Sequence, residues 1–188
     1  PVFREASEDT QRLQNIFRKL MRFTAFVSFP AMLGLAIVSQ ELIVISITEK
    51  WLPCVPVMQI LCVWGAFMPI STLYSNLMNS IGRPNIYMWN TIALGIFQLL
   101  CVWGSYPYGL NVMLIVYTAA NIFWLLIWHY FAHKHIGISL FNTLKDIAPY
   151  LIISVAVMTF TYWVAGYVKN IYLSLLVKVA LAASLYIF

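Results

Sequence analysis

Charge is scarce in this sequence: 9% of its 188 residues are Asp, Glu, Lys or Arg, where soluble domains run at roughly 25%. With 62% hydrophobic residues, the chain has too little polar surface to cover a water-soluble globule, and lipid is the expected solvent. Acids are scarcest, at six. Glu5, Glu8, Asp9, Glu49 and Asp146 fall in connecting segments or at helix ends, and Glu41 alone stands well inside an apolar run. No D-x-x-D, H-E-x-x-H, G-x-S-x-G or P-loop pattern occurs, so these residues supply no acid, base or metal constellation of an enzyme, and no cofactor is called for. Cysteine is limited to Cys54, Cys62 and Cys101, with no C-x-x-C pair. On one helix, Cys54 and Cys62 would stand roughly 12 Å apart, beyond disulfide reach. A continuous basic stripe is also lacking: the formal charge of +5 is spread over short segments between apolar runs, which argues against nucleic acid as a partner.

What is present is a series of apolar runs, each near the 20 residues a spanning helix needs. They cover 23–47, 55–81, 86–106, 110–131, 147–168 and 171–188, and predict an all-α, polytopic transmembrane bundle of about six spans. Residues 1–22 precede them as a basic amphipathic segment on the cytoplasmic side. In it Leu13, Ile16, Phe17, Leu20 and Met21 form one helical stripe, while Arg12, Arg18, Lys19 and Arg22 fall elsewhere around the helix, as suits an anionic membrane surface. A helix end leading directly into the first span is the alternative. Trp and Tyr recur at run ends, where they anchor at the membrane boundary. The chain opens at Pro1 and stops at Phe188 inside an apolar run, so a piece of a longer protein is expected.

Loop charge gives the orientation, because Lys and Arg accumulate on the cytoplasmic side. Arg4, Arg12, Arg18, Lys19, Arg22, Arg83, Lys134 and Lys145 fall on one side, Lys50 and Lys169 on the other. The amino-terminal segment is therefore expected in the cytoplasm. Pro30, Gly34 and Pro69 interrupt spans, which membrane helices tolerate when neighbours or a wet cavity satisfy the freed backbone groups. His129, His133 and His135 follow the fourth run without further ligands nearby and read as an interfacial polar cluster; the scattered Met residues read as packing.

Several stretches resemble the carboxy-terminal half of bacterial polysaccharide flippases of the Wzx kind, in the superfamily that includes multidrug extruders. They are the basic helix 11–22, the run Phe29-Pro30-Ala31-Met32-Leu33-Gly34-Leu35, the segment Glu49-Lys50-Trp51-Leu52-Pro53, the stretch Pro56-Val57-Met58-Gln59-Ile60-Leu61 and the turn Ser80-Ile81-Gly82-Arg83-Pro84. Thr48 stands where similar proteins tend to have Gly, and only Gly109 remains of a Gly-x-x-Gly turn. The resemblance implies one bundle of a two-bundle, alternating-access transporter in the bacterial inner membrane. Its substrate would be an oligosaccharide on a polyprenyl diphosphate, flipped for lipopolysaccharide, O-antigen or capsule synthesis, and its partners membrane lipids and the amino-terminal half of the same chain. On that reading Arg22, Arg83 and Lys178 are the cations to contact the diphosphate, and Glu41 a weaker cavity-facing candidate. The alternatives are a cation-coupled exporter of the same architecture, which calls for carboxylates deep in the spans, a membrane polymerase or glycosyltransferase, and a membrane anchor or assembly subunit.

Overall fold

The structure, a computed structural model, describes residues 2–168 and 170–187. Lys169, assigned above to the less basic side, lies outside the described residues, as do Pro1, Phe188 and the side chains of Arg4, Glu5 and Glu8. Among the described residues six α-helices follow one another: α1 Val2–Ser46, α2 Val55–Ser80, α3 Pro84–Ser105, α4 Leu110–Ile136, α5 Leu140–Ala165 and α6 Ile171–Ile187. Short 3-10 segments, Glu49–Cys54 and Tyr106–Tyr108, lead into α2 and α4. The first five helices are long and apolar enough to cross a membrane, and α6 is a shorter apolar helix. The chain is a polytopic helical membrane bundle.

Local chemistry sets the boundaries. Pro84 occupies the first turn of α3, where its missing N–H costs nothing, and Gly82 takes the positive φ of the turn before it. Gly137 ends α4 in the left-handed conformation, its N–H on the His133 carbonyl at 2.8 Å. Asn170 caps α6, its Oδ1 accepting from the Tyr172 and Leu173 amides. Two expectations need correction. The fourth and fifth helices run past the apolar windows, leaving only residues 137–139 between them, because polar residues can extend a helix beyond the hydrocarbon. Asp146, expected at a loop or helix end, is consequently the seventh residue of α5 and is buried. At the amino end, α1 passes residues 22 and 23 without a break.

The core is built from four-residue periodicity. Phe17, Met21, Ala25 and Phe29 on α1 meet Ala66, Ile70, Tyr74 and Met78 on α2, and Trp124, Trp128, Ala132 and Ile136 on α4 complete the same cluster. Each set is a row of i+4 neighbours, the ridges by which helices interlock. Helix α1 also packs along α5 and α6, and α3 rests chiefly on α4. Only 6% of the apolar window of α3 is buried within the bundle, and Leu99, Leu100 and Trp103 on it are exposed. Such a surface requires apolar surroundings, as lipid provides.

Pro30 lies inside α1 and cannot donate to the carbonyl four residues earlier, that of Phe26. The Tyr186 hydroxyl of α6 donates to that carbonyl at 2.9 Å. The break in the α1 ladder is thus mended by a neighbouring helix, the condition for tolerating a proline in a span.

Candidate functional site

Charged side chains gather at two levels of α1. Arg18 and Arg22 are one turn apart and share a helix face; both reach Asp146 near the start of α5. Arg18 forks onto the carboxylate, Nε to Oδ2 at 2.6 Å and Nη2 to Oδ1 at 3.1 Å. Arg22 places Nε and Nη2 both on Oδ1, each at 2.6 Å. The Asp146 side chain is 2% exposed, those of Arg18 and Arg22 29% and 49%. The carboxylate is therefore enclosed, while both cations keep a face toward solvent. Beside them, Gln14 donates through Nε2 to the Ile136 carbonyl at the end of α4, which gathers α1, α4 and α5 at this end.

The second level lies nineteen residues beyond Arg22, roughly 28 Å along a straight helix and close to the ~30 Å of a bilayer's hydrocarbon. Here Glu41 accepts from Lys178 of α6 at 2.5 Å and from the Ser174 hydroxyl at 2.9 Å, both on Oε1. The ammonium also donates to the Ile37 carbonyl at 2.8 Å and sits 5.5 Å from the centre of the Tyr162 ring. Both charged residues are buried. An ammonium in a low-dielectric interior requires such company: a carboxylate, a carbonyl and an aromatic face together replace its lost water.

Of the residues singled out in the sequence, the structure brings Glu41 and Lys178 together, sets Arg22 on Asp146, and leaves Arg83 exposed at the turn between α2 and α3. Arg22 and Arg83 stand far from the Glu41–Lys178 pair because they belong to the opposite end of the helices. Sequence reasoning missed the role of Arg18, Asp146, Ser174 and Tyr162. A signal existed for each pair: Lys178 and Glu41 are lone charges in two runs at similar distances from the same end, and Asp146 is an acid placed just before an apolar run at the end where Arg18 and Arg22 stand.

The histidines have individual tasks. His129 shares a hydrogen bond with the Tyr74 hydroxyl at 3.1 Å and stacks on His133. His133 donates through Nδ1 to the Ile138 carbonyl and His135 to that of Phe131, each at 2.9 Å. Tyr74 and His129 also line a largely apolar cavity of about 210 Å³ between α2, α4 and α5.

Comparison with known proteins gives consistent matches. The model of the family described as "Polysaccharide biosynthesis protein" matches residues 1–56, which include α1 and the 3-10 turn after it. The lipopolysaccharide biosynthesis protein WzxC of Escherichia coli K12 is 32% identical over 98 residues. A membrane protein from the cps region of Klebsiella pneumoniae is 30% identical, and the teichuronic acid biosynthesis protein TuaB of Bacillus subtilis 26%, over stretches of the same length. Each match takes in 52% of this chain and 20% of the relative, so the matched part is about a fifth of the length of these relatives. No solved structure matches. Over the matched parts, the chain is similar to Wzx-like membrane proteins of polysaccharide biosynthesis.

Proposed function

We propose that the protein to which this bundle belongs moves a polyprenyl-diphosphate-linked oligosaccharide across the bacterial cytoplasmic membrane, by alternating access between this bundle and a second one. The observation that carries the reading is the match to polysaccharide biosynthesis proteins centred on α1, the helix that also holds both charged levels. A sugar headgroup does not cross hydrocarbon unaided. A cationic level on the leaflet where lipid-linked precursors are loaded provides the first binding energy for the diphosphate, while the polyprenyl tail stays in lipid. Arg22 and Arg83, at the end assigned to the cytoplasm, are the contacts for loading. Lys178 meets the diphosphate only in a state where it has left Glu41. The work is transport, with no bond made or broken.

The exporter alternative calls for a deep carboxylate free to take a cation. Glu41 already holds the Lys178 ammonium, which favours the flippase reading. The test is complementation: the full-length chain should restore surface polysaccharide to a flippase-deficient strain, and residues 1–188 alone should not, because a cavity between two bundles needs both walls. Restoration by this bundle alone would overturn the two-bundle mechanism. Elongation of lipid-linked repeat units by the purified full chain would point to a polymerase.

A further inference from the structure

Two arginines converge on one carboxylate at the basic end of α1, and the partnership is unequal. Arg18 takes the planar fork that guanidinium and carboxylate prefer, while both contacts of Arg22 fall on Oδ1, an oxygen that Arg18 Nη2 already uses. Holding α1 to α5 needs one such fork. The second guanidinium leaves the cluster with a net positive charge and with N–H donors that Asp146 does not reach. Those donors lie on the accessible side, since Arg22 is half exposed and Asp146 enclosed. More cations flank it: Lys145 is exposed beside Asp146, and Arg12 and Lys19 line an open hollow on α1 with Asn15.

We propose that Asp146 is an internal stand-in for the anionic group of the substrate. With no substrate present, its carboxylate occupies Arg18 and Arg22 and clasps α5 to α1; a diphosphate arriving at this end takes the two guanidiniums, first through the open donors of Arg22, and so releases the clasp. Binding and the loosening of one helix end from another thereby become a single exchange of anions. The chemistry favours the newcomer, because a diphosphate carries more charge and more acceptor oxygens than a carboxylate and matches two guanidinium forks at once. The inference rests on the transport reading, from which it takes the diphosphate, and adds to it a device for coupling substrate arrival to motion.

An internal competitor has a distinctive signature: removing it tightens binding. In the full-length protein reconstituted in nanodiscs, Asp146→Asn should bind farnesyl diphosphate about tenfold more tightly than the unaltered chain, and Arg22→Gln about tenfold more weakly. Unchanged or weaker binding by Asp146→Asn at normal membrane abundance would overturn the proposal, as would an equal gain for sulfate. A second measurement leaves Asp146 in place. Spin labels at Asn15 and Asn142, exposed on α1 and α5, should move apart when farnesyl diphosphate is added to saturation, and an unaltered distance would count against the exchange. A chain that restores surface polysaccharide but shows neither effect overturns this inference alone. A chain that shows both effects and restores nothing overturns the transport reading alone.

Discussion

At the scale of single residues, the costliest arrangement in the bundle is the buried pair of Glu41 and Lys178. Neither residue has water to fall back on, so removing one partner strands the other. Lys178→Met or Glu41→Gln alone should lower stability by about 3–5 kcal/mol, whereas the double replacement should regain most of it, since a buried pair and an apolar substitute are often near parity. Thermal unfolding of the purified full-length protein in detergent, with membrane abundance alongside, measures this; equal losses in the single and double variants would show that the pair does not hold α6 to α1. The sequence marked both residues, because a lone charge in an apolar run is visible without any structure. It did not show that they meet, since pairing across 137 positions depends on which faces of α1 and α6 touch. Asp146 was hidden for another reason: it stands just before an apolar run, where hydropathy alone ends the helix, and only the left-handed turn at Gly137 shows how far α5 extends.

Among the helices, hydrophobic runs located all six, and the i+4 rows of α1, α2 and α4 became recognisable once the faces were known. The clearest inter-helix repair is that of Pro30. If the Tyr186 hydroxyl serves the carbonyl that Pro30 leaves open, then Tyr186→Phe should matter less once a backbone donor is restored. In a double-mutant cycle with Pro30→Ala, the coupling should be about 0.6 kcal/mol, the typical worth of an interhelical hydrogen bond in a membrane. Additive losses would mean that the carbonyl is satisfied in some other way. Pro30 announces its own break in the run, but a tyrosine near the end of a run looks the same whether it anchors at the interface or reaches a neighbouring helix.

For the molecule as a whole, successive helices reverse direction. Arg18, Arg22, Arg83, Lys134 and Lys145 therefore gather at one end, and Lys50 and Tyr108 stand at the other. The positive-inside rule assigns the first end to the cytoplasm. In a full-length chain freed of its native cysteines, single cysteines at Ser80 and Asn142 should escape an impermeant thiol reagent in intact cells, while one at Tyr108 should react. The reverse pattern would invert the orientation and with it the loading side for the substrate. The orientation expected from charge counting needs only the order of runs and loops and no knowledge of which helices touch, and the labelling pattern tests it.

The Glu41–Lys178 pair also fixes a timetable for synthesis. Glu41 enters the membrane with α1, yet its cation is made 137 residues later, roughly 7–30 s at ordinary rates of translation. Throughout that interval the carboxylate must shelter at the bilayer margin or in the insertion machinery, and α6, short and carrying a lysine, enters most readily against an α1 already waiting for it. A chain halted after α5 therefore leaves Glu41 without the ammonium and the hydroxyl that answer it in the complete bundle, and the cost of its burial falls due before its partners exist.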